Sequence, residues 1–220
     1  TLVRRQQAFG YSQEELRILL GPLAEQGHEA YGSMGTDTPL AVLSDRPQNL
    51  FSYFKQQFAQ VSNPPLDKDF EKVVTQMSMT IGRQGNLFDE TPEHCRQLRV
   101  EHPVLTNHEL AKIRELDLPG IRTRTVSTLW PVKDGAEGLR AALDRVRDEA
   151  AKAVEDGYEI IVLSDRGVDS ESAPIPSILA TGAVHHHLIR EGLRLRVGLV
   201  VESGDPREVH HFAVLYGYGA

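Results

Sequence analysis

The chain is nearly without cysteine. Cys95 is the one thiol among 220 residues. It has no partner for an intrachain disulfide. Alone it cannot assemble a thiolate zinc site or an iron–sulfur cluster, because each takes several ligands. A reducing compartment, the cytoplasm, is therefore the expectation. Long apolar runs are missing too. Nothing approaches the roughly 18 residues that would cross a bilayer, so no membrane partner is expected. Positive charge is in deficit, with 24 Lys and Arg against 31 Asp and Glu for a formal −7. Nucleic-acid binding relies on a concentrated basic face. The arginine pairs here (Arg4 with Arg5, Arg122 with Arg124, Arg194 with Arg196) are short and scattered, so no nucleic-acid partner is expected either.

What is present is ordinary for a globular domain: 40% hydrophobic and 25% charged residues, with 18 glycines. That balance excludes wholesale disorder, collagen and coiled coil. A chain of this length buries roughly 70% of its unfolded surface. The opening Thr1-Leu2-Val3-Arg4-Arg5 is neither a signal peptide nor an initiator methionine. The expectation is a processed product or a piece of something longer.

The first 102 residues read as helical and irregular. Ser12 and Glu15 form a capping-box pair before Leu16, Leu19, Leu20 and Leu23, and Gly21-Pro22 argues for a stop or kink. Asn49 to Gln60 reads as a helix with Leu50, Phe51, Phe54 and Phe58 on one face, ended by Asn63-Pro64-Pro65. Such a stripe is usually core. Asp67 to Met79 reads as a third helix. Residues 103–220 are more regular. Strands are expected at Pro103–Leu105, Ile121–Leu129, Tyr158–Leu163 and Leu195–Val201, with helices at Asn107–Leu116, Gly135–Asp156, Ile175–Glu191 and Pro206–Tyr216. Four strand–helix units in alternation argue for α/β architecture with a parallel sheet. The pattern fits either half of a (β/α)₈ barrel or a small open sheet.

Polar groups collect at two expected strand ends. Ser164-Asp165-Arg166 follows one strand and Glu202-Ser203-Gly204-Asp205 the next, with His210 and His211 close behind. Carboxyl ends of parallel strands are where sites are built, because the following helix offers free N–H groups. Ser164, Asp165, Arg166, Glu202, His210 and His211 are thus the candidate pocket edge. The plainer reading is a set of ion pairs that tether loops. Val42-Leu43-Ser44-Asp45-Arg46 echoes Val162-Leu163-Ser164-Asp165-Arg166.

Other motifs carry less. His185-His186-His187 diverge by about 100° each on a helix and cannot share one ion. A histidine hydrogen-bonded to neighbours is the better reading, and no metal ligand is assigned. Gly32-Ser33-Met34-Gly35-Thr36 lacks the Lys-Ser/Thr of a phosphate loop, and Glu202-Ser203-Gly204 is no nucleophile elbow. Cys95, between His94 and Arg96, has cationic neighbours but no readable catalytic partners.

Longer strings carry a resemblance. Ser33 to Arg46, Phe54 to Pro65, Leu163 to Arg166, Ala173 to Ser177, Gly182 to Leu188, Val200 to Gly204 and Arg207 to Ala213, running on to Gly217-Tyr218-Gly219-Ala220, resemble the central domain of the glutamate synthase large (α) subunit. The resemblance implies a fragment of an oxidoreductase of glutamate biosynthesis and ammonia assimilation. Such an enzyme makes glutamate from glutamine and 2-oxoglutarate, using FMN and an iron–sulfur cluster. It also implies a rudimentary barrel-like fold truncated at its C-terminal end. The implied partners are the glutaminase and FMN-binding domains of the same chain, with a small subunit beyond them. No catalytic or cofactor-binding residue of that family maps onto this chain, so the fragment is expected to hold no cofactor and to be inactive alone. The alternative is a free-standing α/β enzyme or anion-binding module working at the Ser164/Asp165/Arg166 and Glu202/His210 edge, with Arg166 as anion clamp.

Overall fold

The computed structural model describes residues 1–29, 40–55 and 65–220. The Gly32–Thr36 string, Phe58 and the Asn63-Pro64 stop lie outside them. The helices are α1 (Leu2–Ala8), α2 (Gln13–Glu15), α3 (Gly21–Gln26), α4 (Lys68–Val74), α5 (Asn107–Arg114), α6 (Gly135–Glu155), α7 (Ser177–Arg190) and α8 (Val209–Gly217). The strands are β1 (Met79–Ile81), β2 (Leu98–Val100), β3 (Asp117–Leu118), β4 (Ile121–Ser127), β5 (Leu129–Pro131), β6 (Ile160–Ser164), β7 (Ser172–Pro174) and β8 (Gly198–Glu202).

The main sheet has the order β3-β4-β6-β8. β4, β6 and β8 run parallel, and β3 pairs antiparallel with β4. β6 is buried at every residue. Its alternate side chains serve two layers. Ile161 and Leu163 join Val126, Leu199 and the apolar faces of α6 and α7. Ile160 joins Ile81 and Ile113 on the other side. α6 contributes Ala142, Val146, Ala150, Ala153 and Val154, which fall on one face at helical spacing. It stops at Gly157, whose φ of +83° suits glycine. Arg122 Nη2 closes that end by donating to the carbonyls of Asp156 (2.8 Å) and Gly157 (2.5 Å). At the start of β8 the backbone approaches closely. A Cβ on Gly198 would sit 2.5 Å from Ile81 Cγ2 and 2.9 Å from Gly82 N, so the β1–β2 ribbon packs where only glycine fits.

The expected parallel sheet is open and mixed, with no closed barrel among the described residues. Pro103–Leu105 forms no strand. Pro103 has no N–H to give to a ladder. The outer edge of β4 is taken by β3, which folds back antiparallel through Gly120 at φ +82°. Strand–helix alternation therefore runs β4-α6-β6-α7-β8-α8. In the N-terminal part the Ser12–Glu15 capping box forms, with Glu15 N to Ser12 Oγ at 3.1 Å and Ser12 N to Glu15 Oε2 at 2.8 Å. Gly21-Pro22 does not end the helix. A π turn at Leu16–Leu20 carries α2 into α3, with Gly21 N bonding Leu16 O. Of the helix expected from Asn49 to Gln60, the described residues form a 3₁₀ turn, Leu50–Phe54, with Asn49 Oδ1 accepting Phe51 N at 3.0 Å, and residues 56–60 lie outside them. The third expected helix is shorter than Asp67–Met79: α4 ends at Val74 with Thr75 as its C-cap, and Met79 belongs to β1. No helix among the described residues is long and apolar enough to cross a membrane.

Candidate functional site

Parallel pairing places Ser164, the last residue of β6, opposite Glu202, the last of β8. Glu202 is the hub of the strand-end cluster. One carboxylate oxygen, Oε2, accepts from Ser164 Oγ and from Arg114 Nη2 of α5. The other, Oε1, accepts from Arg166 Nε at 2.8 Å. Arg166 Nη2 reaches on to Asn107 Oδ1, 3.4 Å away at the start of α5. Burial pushes the Glu202 carboxyl up, but donation from Arg166, Ser164 and Arg114 outweighs it and holds the group below the usual carboxylate range.

Asp165 turns the other way, into the loop after β8. Ser203 Oγ donates to its Oδ2 at 2.5 Å, and Gly204 N lies 3.3 Å from each carboxylate oxygen. Burial is the main influence on Asp165 and raises its pKa. Ser203 and Gly204 pull it back, and the nearby Asp205 and Glu202 charges add to the rise, leaving it at about 6. Asp205 caps α7 from a distance. Its Oδ2 accepts Ser177 N (3.2 Å) and Ser177 Oγ (3.0 Å), and its Oδ1 accepts Asn49 Nδ2 (3.1 Å). A carboxylate at a helix start satisfies orphan N–H groups and meets the positive end of the dipole.

His210 and His211 belong to a separate group on α8. His211 stacks on Phe51 with ring centroids 4.5 Å apart and planes 9° from parallel. Its Nδ1 accepts Arg207 N at 3.1 Å, so Nε2 carries the proton toward Glu208 Oε1 at 3.2 Å. That donation is the first cause of a lowered Glu208 pKa. His210 Nε2 lies 3.4 Å from Phe51 O. The structure thus joins Ser164, Arg166 and Glu202, turns Asp165 to the Ser203 loop, and uses the two histidines to seat Phe51. Phe54 packs edge-on against Tyr218 instead.

Sequence reasoning missed Arg114, Asn107 and Arg207. The first two lie on a helix whose docking only the fold reveals. Arg207 is buried, stacks over the Tyr11 ring at 4.0 Å, and donates to Glu15 Oε1 at 2.5 Å and to the carbonyls of Phe9 and Gly10. His185 Nδ1 accepts Arg194 Nε at 2.9 Å, the hydrogen-bonded role expected of that triplet. No group of three or more metal-ligating side chains occurs among the described residues. The Val42–Arg46 echo is no structural repeat. Val42 and Leu43 are exposed in a 3₁₀ turn, whereas Val162 and Leu163 are interior strand residues.

The pattern of the glutamate synthase central domain matches residues 4–220. The chain belongs to that family. Across 215 residues it is 46% identical to a glutamate synthase [NADH] of Schizosaccharomyces pombe, covering 97% of this chain and 10% of that protein. It is 42% identical to a glutamate synthase [NADPH] large chain of Bacillus subtilis and 43% identical to a ferredoxin-dependent glutamate synthase 2 of Synechocystis, covering all of this chain and 14% of each relative. The chain is thus a fragment-length match to these glutamate synthases.

Proposed function

We propose that this segment is the non-catalytic connecting domain of a glutamate synthase. It links a glutaminase domain to an FMN-binding synthase domain in an enzyme that forms glutamate from glutamine and 2-oxoglutarate. The observation that carries this reading is the state of the candidate edge. Its carboxylates and arginines bond to one another and to backbone, so they fasten strand ends and loops together. Rigid strand–helix packing suits a spacer. Ammonia released at one site is protonated in bulk water, so a route between two active sites needs a firm wall. FMN and the iron–sulfur cluster belong, in this reading, to the neighbouring domains of the same cytoplasmic chain, with a small subunit as a further partner. Residues 1–102 and 103–220 act as two parts of one connector.

The anion-clamp alternative has less support, because Arg166 Nε is committed to Glu202. The deciding experiment purifies residues 1–220 and measures flavin absorbance and glutamine hydrolysis. Neither is expected. A stoichiometric flavin or measurable glutaminase turnover overturns the connector reading.

A further inference from the structure

We propose that the open edge of β8 takes a further parallel strand from the polypeptide that follows Ala220, and that Arg194 is the positioning residue that delivers it there. This rests on the connector reading, in which the polypeptide continues on both sides of this segment. It adds to that reading a surface and its occupant.

Among the described residues the main sheet ends at β8. Gly198 N donates to Glu159 O at 2.9 Å, and Asp165 N donates to Glu202 O at 3.1 Å. Alternate residues of a parallel ladder bond to one neighbour. Gly198, Val200 and Glu202 therefore face β6, and the N–H and C=O groups of Leu199 and Val201 face the open side. Yet both faces of β8 are covered. Leu199 packs with α6 and α7, and Val201 with Ile178 and Leu215. On the opposite face Val200 meets Ile81, Ile113 and Ile160. A parallel strand covered on both faces is built as an interior strand, and a bare edge is a template for pairing.

Topology fixes where the next strand enters. β4, β6 and β8 follow one another across the sheet, and the helices that join them, α6 and α7, share one face. α8 lies on that same face, since its Leu215 meets Ile178 of α7 and Val201. Crossovers between parallel strands are right-handed almost without exception. Continuing with the same hand, a strand after α8 enters beyond β8.

Arg194 shows that α8 has returned the backbone to the amino end of the sheet. Its Nη1 donates to the carbonyl of Val197, just before β8, at 2.6 Å. Its Nη2 donates to the carbonyl of Gly219, just past α8, at 2.7 Å. Nε is held by His185 Nδ1 at 2.9 Å, and the His185 ring lies against Gly219, where a Cβ would not fit. One guanidinium thus ties the entrance of β8 to the exit of α8, and a strand that starts there runs parallel to β8. Four residues join α6 to β6 and seven join α7 to β8, so the new strand is expected within a similar distance of Gly217.

The occupant follows from this exit. The chain spans 10% of one relative and 14% of others, so a polypeptide of that length has ample chain for the strand. A second copy does not fit. In a two-fold contact the same edge meets itself, and the polypeptide leaving Gly219 beside Val197 lies where the copy would have to come.

The test uses the full-length polypeptide. Hydrogen exchange is read residue by residue, and a cryo-EM map identifies what lies beside β8. The amides of Leu199 and Val201 are expected to exchange as slowly as that of Val200, and the map to show a parallel strand from the segment directly after α8. Fast exchange at Leu199 and Val201 beside a protected Val200 overturns the proposal. So does a bare edge, an antiparallel strand, a second copy or a remote segment beside β8. In the same polypeptide, Arg194→Ala should speed exchange at Leu199 and Val201 by on the order of tenfold while Val162 in β6 stays slow. Arg194→Gln, which keeps one amide donor, should speed it less. Equal rates in the parent and both variants would show that Arg194 does not deliver the strand. The parent's exchange and map decide the edge whether or not a variant folds. No readout here involves flavin or glutamine turnover, so the connector reading and this edge fail separately.

Discussion

Ser203 binds Asp165 with one hand and the backbone with the other. Its hydroxyl donates to Asp165 Oδ2 at 2.5 Å and accepts Asp205 N at 3.0 Å. Asp205 in turn caps α7. The buried carboxyl after β6 is therefore coupled, through one hydroxyl, to the start of the helix that follows.

This coupling gives a pH prediction. Asp165 titrates near 6 in the folded chain against an ordinary 3.8. Between those values the folded state holds a proton that the unfolded state has released, so stability falls as pH rises from about 4 to 6 and is level beyond. The full span corresponds to about 3 kcal/mol. In denaturant titrations, Asp165→Asn should gain on the parent as pH climbs through this window. A constant difference between the two proteins from pH 4 to 7 would show that Asp165 does not titrate there.

Glu202 should behave in the opposite sense. Its depressed pKa means stability present above the ordinary carboxylate range and lost as pH falls through the folded value. Glu202→Gln removes a charged acceptor shared by Arg114, Ser164 and Arg166. Losing hydrogen bonds of this kind costs about 2 kcal/mol, and the melting temperature near pH 7 should drop by several degrees. An unchanged melting temperature would mean that the hub is ornamental.

Arg207 holds the N-terminal helices. Its guanidinium reaches Glu15 and the carbonyls of Phe9 and Gly10. Arg207→Ala removes a buried guanidinium and its bonds to the partly exposed Glu15, Phe9 and Gly10, at about 2 kcal/mol. Hydrogen exchange should accelerate at residues 9–15 well before it does in β6. Uniform exchange across both regions would show that the latch is not local.

The parts legible in sequence are those that encode themselves over short range. The unbroken apolar run Ile160–Leu163 announces a strand covered on both faces, and Val146, Ala150 and Val154 announce the inward face of α6. The Ser12–Glu15 capping box is a local exchange of hydrogen bonds, and it forms. Pro103–Leu105 misleads because apolar residues alone do not make a strand when the neighbouring edge is already filled by β3. At the site, chain order shows that Ser164 and Glu202 end successive strands. The direction in which Asp165 turns, and the arrival of Arg114 from α5, depend on docking that no spacing records. The Val42–Arg46 echo shows the same limit, since identical residues end a buried strand in one place and an exposed turn in the other.

The clasp between Arg207 and Phe9 spans 198 positions of sequence. On a ribosome adding about 5–20 residues per second, the segment around Phe9 emerges about 10–40 seconds before the arginine that secures it exists. During synthesis α1 and α2 must therefore wait, unfastened, while the sheet assembles. Nascent chains stalled before residue 207 should carry a protease-sensitive N-terminal region beside a core that is already forming.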